Sequence, residues 1–231
     1  MKKTQILEYA GTNKVVTANG LSKMYGINLS TARQYLSTLA KENKLIRIGR
    51  GEYSLKDKQS FIYTPFESVK EIYGSLKRDL PFTDFCIYEG SILSSIQHHL
   101  FINKAIYVET NRDAVRIVFE HLKNKYKNVY RQPDAEFMQD YIDLREKCII
   151  VKPLVTESPL MTVDGIKVPT LEKILVDTQK DTDFDYLQGA ESAYIFQQAF
   201  DLYSINTRRL KRYSKRRNIN KKINTLIQQA Q

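Results

Sequence analysis

The sequence predicts an α+β protein (mixed α/β) built in two parts, and three observations carry that reading. Over residues 1–56, apolar residues recur at helical spacing and then give way to a short alternating stretch around glycines. From about residue 81, brief apolar runs alternate with helix-like segments, as strands interleaved with helices do. From residue 205 the pattern is helical and carries 9 basic residues and no acid.

The elements follow in order. Ile6, Leu7, Tyr9 and Ala10 form an apolar stripe on a first helix over 2–11, closed by Gly11. Thr17 caps a second helix, on which Leu21, Met24 and Tyr25 recur until Gly26. Asn28 caps a third, whose Ala32, Tyr35, Leu36 and Leu39 face inward at i, i+3, i+4 and i+7. Leu45–Ile48 and Glu52–Leu55 then pair as a hairpin around Gly49-Arg50-Gly51. Helix, short helix, turn, helix and hairpin make the outline of a winged helix-turn-helix. A polar stretch and a helix bearing Val69, Ile72, Tyr73 and Leu76 lead to the Leu80-Pro81 break.

Beyond it, Phe85–Tyr88, Ala105–Val108 and Cys148–Val151 read as buried strands. Ser91 to His99 reads as a helix, and Asn111 caps a longer one carrying Ala114, Val115, Val118, Phe119 and Leu122. Leu160 to Val168 is a hairpin turning at Asp164-Gly165. Pro169 and Thr170 open a helix with Leu171, Ile174, Leu175 and Val176, and the chain from Tyr186 on is helical, with Tyr194, Phe196, Ala199, Phe200, Leu202 and Tyr203 as core. The expected division is 1–58 for the winged helix-turn-helix and 59–80 for a linker and connecting helix. The larger α/β domain takes 81–204, and 205–231 is the helical, basic C-terminus.

With 231 residues, 42% hydrophobic and 11% aromatic, the chain can bury one or two real cores. It offers no membrane-length apolar run and no signal-like N-terminus, so a cytoplasmic protein with no membrane partner is expected. Cys86 and Cys148 stand too far apart for a CxxC motif and too few for a disulfide framework.

The net charge of +10 is unevenly spread. Residues 1–60 hold 11 basic and 4 acidic side chains, for +7, and residues 205–231 hold +9. The centre, with 16 basic and 22 acidic residues, is at −6. Two basic ends around an acidic middle point to polyanion contact at the ends. On the third helix, Ser30, Arg33, Gln34, Ser37, Thr38 and Lys41 face outward, where Arg can read guanine and Gln adenine in a major groove. Arg47 and Arg50 lie at the wing and suit phosphate or minor-groove contact. A second basic surface is expected on Arg208, Arg209, Lys211, Arg212, Lys215, Arg216 and Arg217.

No catalytic set, metal site or cofactor motif is expected. Gly90-Ser91 would suit a nucleotidyltransferase, but residues 95–112 supply only Glu109 as an acid, and Asp183-x-Asp185 falls far downstream in a polar loop. His98, His99 and His121 are not spaced for zinc with either cysteine, and Asp134, Glu136 and Asp140 lack a following Glu-x-Lys. These read as a turn, surface histidines and solvated acids.

The wing with Arg50-Gly51-Glu52-Tyr53, the later helix Glu172-Lys173-Ile174-Leu175-Val176-Asp177 and the basic helical end together resemble the AbiEi-type antitoxins of type IV toxin–antitoxin systems. The resemblance implies a transcriptional autorepressor that binds double-stranded DNA at inverted repeats in its own promoter. It also implies that the second domain counteracts a nucleotidyltransferase-type toxin. The recognition positions carried over are Ser30, Arg33, Gln34 and Thr38, with Arg50 at the wing. Glu172 and Lys173 are expected to face solvent. The alternatives are a ligand-sensing winged-helix regulator without a toxin partner and a nucleic-acid-processing enzyme.

Overall fold

In the computed structural model, which describes residues 3–13, 15–56 and 58–230, the chain divides after Gln59 into two units. Lys2, the expected first residue of the first helix, lies outside the described residues.

The first unit runs α1 (Lys3–Thr12), β1 (Val16–Thr17), α2 (Ala18–Tyr25), α3 (Leu29–Lys41), β2 (Leu45–Gly49) and β3 (Glu52–Leu55). The caps are those the sequence supplies: Thr17 accepts from the Gly20 amide at 3.1 Å and Asn28 from the Ser30 amide at 3.0 Å. Gly26 closes α2 at φ 63°, a left-handed position that glycine adopts without a Cβ penalty. Ala32, Leu36 and Leu39 of α3 are buried with Ile6, Ala10, Val16, Leu21 and Leu45, forming the unit's own core. The strands pair antiparallel in the order β1-β3-β2. β1 was not expected, because two residues carry no period to read. Two expected core positions differ: Met24 is 64% exposed and Tyr35 only half-buried.

The second unit centres on a four-stranded sheet, β4-β5-β7-β6, from β4 (Phe85–Glu89), β5 (Ile106–Thr110), β6 (Val129–Arg131) and β7 (Ile149–Pro153). β4 is antiparallel to β5, while β5, β7 and β6 are parallel. Helices α5 (Val115–Lys123) and α6 (Ala135–Tyr141) make the two crossovers. Strands covered on both faces read as unbroken apolar runs, which is how Phe85–Tyr88 and Ile149–Val151 were visible. The short β6 and α6 were not.

Two helices are shorter than their sequence patterns. Only Gly90–Leu93, a 3₁₀ turn, stands where Ser91–His99 read as a helix. Asn111 makes no side-chain cap, and a 3₁₀ turn over Arg112–Ala114 precedes α5. A Cβ at Gly90 would fall 2.2 Å from Asn103 Cγ. The buried Asn103 carboxamide is pinned there, accepting from the Ala105 amide at 3.0 Å and donating to Tyr107 Oη at 2.9 Å.

The β8 (Leu160–Val163) and β9 (Ile166–Pro169) hairpin turns through Asp164 at φ 50° and Gly165 at φ 78°, the left-handed pair that a two-residue loop requires. Thr170 caps α7 (Leu171–Asp177), and α8 (Ala190–Leu202), α9 (Thr207–Arg216) and α10 (Asn220–Ala230) complete the chain. Phe196, Ala199 and Phe200 are buried, whereas Tyr194 is 37% exposed. Helix α4 (Glu67–Asp79) puts Val69, Ile72, Tyr73 and Leu76 into this core, and α9 and α10 add Leu210, Tyr213, Ile223, Leu226 and Ile227. Residues 60–80 and 205–230 are therefore packed parts of the second unit. No helix among the described residues is long and apolar enough to cross a membrane.

Candidate nucleic-acid interface

In the first unit, Arg33, Gln34, Ser37 and Lys41 are exposed on α3, and Arg47 and Arg50 are exposed on the hairpin. A groove of about 590 Å³ runs between α3 and the β2–β3 turn, lined by Arg33, Ser37, Arg47 and Arg50 with Asn19 and Glu52. Among the described residues the three arginines make no ion pair, although Arg47 Nε donates to the Gly49 carbonyl at 3.1 Å. Three guanidiniums on one concave face, with one carboxylate among them, present net positive charge to a solvent-filled groove.

The other named positions stand apart from this groove. Thr38 is half-buried, and Ser30 donates its hydroxyl to Asn28 Oδ1 at 3.1 Å as part of the α3 cap. Asn19 was not among the residues singled out from the sequence: it sits in the first turn of α2, and only the fold brings that turn beside the β2–β3 hairpin.

The second unit holds a buried charge cluster at the carboxyl ends of its parallel strands. Glu109 of β5 and Lys152 of β7 are register partners. Lys173 Nζ, wholly buried, lies 2.7 Å from Glu109 Oε2 and 2.6 Å from Asp177 Oδ2. Lys152 Nζ lies 2.5 Å from Asp183 Oδ2 and 3.1 Å from Asp181 Oδ2. Tyr88 donates to Glu109 and Tyr213 to Asp177, each at 2.9 Å. Burial alone would lower both lysines, but for Lys152 the carboxylates of Asp183, Asp181 and Glu109 outweigh it, and for Lys173 those of Asp177 and Glu109. Both ammoniums are held well above the ordinary lysine value. A cavity of about 420 Å³ opens beside the cluster, in the position where α/β sheets commonly take ligands. Its inner carboxylates are already neutralised by internal cations, and no group of three metal-ligating side chains converges among the described residues.

This cluster corrects the sequence reading at two points. Asp183 is a buried partner of Lys152 rather than part of a polar loop. Glu172 and Lys173 are 5% and 0% exposed, not solvent-facing. No local signal marks this: Lys173 and Asp177, at i and i+4, read as an ordinary solvent-facing charge pair on a helix, and only the tertiary packing buries them.

The basic C-terminus splits in two. Arg217 reaches Asp177 Oδ1 at 3.3 Å and also pairs with Asp181, Arg209 lies 3.6 Å from Glu172 Oε2, and Arg216 donates to the Thr156 hydroxyl. Arg208, Lys211, Arg212 and Lys215 are exposed and make no ion pair among the described residues.

A family model described as a family of unknown function (DUF6577) matches residues 31–231. No curated protein matches the chain.

Proposed function

We propose, for a chain that belongs to the DUF6577 family of unknown function, that it is a double-stranded-DNA-binding transcriptional autorepressor whose first unit acts as a winged helix-turn-helix. The observation that carries this is the groove shared by α3 and the hairpin, in which Arg33, Arg47 and Arg50 make no ion pair among the described residues. In this reading α3 enters the major groove, with Arg33 and Gln34 at base edges and Ser37 and Lys41 toward the backbone. Arg47 and Arg50 take phosphates or the adjacent minor groove. Asn19, at the start of α2, joins the backbone contacts.

Replacing Arg33 and Gln34 together by Ala is expected to abolish preference for the protein's own promoter in a gel-shift titration, with circular dichroism unchanged. Retained preference would remove α3 from base reading. The likeness to AbiEi-type antitoxins supports a second activity, relief of a nucleotidyltransferase-type toxin encoded nearby. Co-expression with the adjacent gene tests it: a neighbour harmless on its own would leave the protein a plain regulator.

A further inference from the structure

The seven basic residues of the C-terminal helix do two different jobs, and their positions on the helix separate them. On α9, Leu210, Tyr213 and Ser214 are buried at spacings of three and four residues, so they form its inner face, and Arg217 follows on the same side. Arg209 and Arg216, seven residues apart, flank that face and are tied to Glu172 and Thr156. Arg208, Lys211, Arg212 and Lys215 remain, at i, i+3, i+4 and i+7, which makes them one stripe on the side opposite the core. None has an ion-pair partner among the described residues, and residues 205–231 contain no acid to supply one.

Four like charges held on one helix face repel one another, and the buried Leu210 and Tyr213 anchor the helix so that they cannot disperse. We infer that this stripe is a second DNA contact, a clamp on the phosphate backbone that reads no sequence. Protein partners are usually recognised through apolar or aromatic anchors at the centre of a patch. Here every apolar side chain of α9 points inward, leaving charge as the sole means of recognition. The stripe is about 10 Å long at 1.5 Å per residue, the axial length of about three phosphates on one strand. The rest of the second unit is acidic on balance, which confines contact to this helix. The inference rests on the proposed DNA-binding function for its choice of nucleic acid, and concerns a surface that function does not use.

The test uses the full chain with Arg208, Lys211, Arg212 and Lys215 all changed to Gln. It is titrated against a promoter duplex and an unrelated duplex between about 50 and 200 mM salt. Affinity for both duplexes is expected to fall by the same factor, and the slope of log affinity against log salt to shrink by about 3, at about 0.9 per phosphate released. Preference for the promoter stays. A milder variant, Lys211→Gln with Lys215→Gln, guards against misfolding and is expected to lose about 2 from the slope.

An unchanged slope in a folded variant overturns the inference, including the case in which toxin relief is lost instead, which would assign the stripe to an acidic protein. The failure of the first proposal looks different. There the Arg33 and Gln34 variant keeps its promoter preference, while the slope change on α9 still decides the clamp.

Discussion

Lys173 shows how one side chain can hold two others in place. Its ammonium is wholly buried between Glu109 and Asp177, both of which are also buried. Breaking a buried ion pair from one side is far costlier than replacing the whole pair by apolar groups, because a bare charge stays behind. Lys173→Met keeps most of the volume and removes the charge. It is expected to destabilise the second unit by about 3–5 kcal/mol in urea unfolding at pH 7. A loss below about 1 kcal/mol would show that the carboxylates are neutral or solvated in the native state. The residue was visible in the sequence as part of the helix Leu171–Asp177, which also holds its partner Asp177 at i+4, but its other partner Glu109 comes from β5. Spacing along a chain reports neighbours on one helix, and the pairing with Glu109 depends on where β5 passes.

Among elements, the turn after β4 shows what local pattern can and cannot disclose. Gly90 was read as a strand-to-helix turn, and it stands in a 3₁₀ turn directly after β4. The reason for glycine there lies thirteen residues on, in the Asn103 side chain that fills the place of a Cβ. Gly90→Ala forces that buried carboxamide off its bonds to Ala105 and Tyr107, at an expected cost of about 1–3 kcal/mol, measured by denaturant midpoint. A neutral result would mean that Asn103 has room to turn. The helices of the first unit were legible because their caps, Thr17 and Asn28, and their glycine stop are encoded within a few residues. β1 and β6 were not, since two and three residues hold too little period to separate them from loop, and α6 buries only Met138. At the candidate interface, α3 and the hairpin arginines were legible as an outward face. The groove that joins them to Asn19 exists only once β3 pairs with β1 and β2.

At the scale of the whole chain, two units with separate cores are expected to melt separately, and acid should distinguish them. Burial raises the Asp181 carboxyl, but Lys152 and Arg217 outweigh it and hold it below the ordinary aspartate value. A carboxyl lowered by folding stabilises the native state above its unfolded value, near pH 4, and that stabilisation is lost as pH falls through the lower folded value. The raised ammoniums of Lys152 and Lys173 act at the other end, and their contribution is lost only above about pH 10. Calorimetry is expected to show the transition of the second unit moving down steeply below pH 4, with that of the first moving less. Parallel shifts would contradict a cluster confined to the second unit.

The charge cluster also bears on the order in which the protein is made. Asp177 and Asp181 are synthesised about forty residues before Arg217 and Tyr213, the last groups to reach them. Until residues 207–217 leave the ribosome, the sheet can form while these two carboxylates lack their guanidinium. A chain cut short before Arg217 is thus marked by exposed charge and by the uncovered surface that Ile223, Leu226 and Ile227 would have filled. The core of the second unit therefore closes only after residues 210–227 have been made.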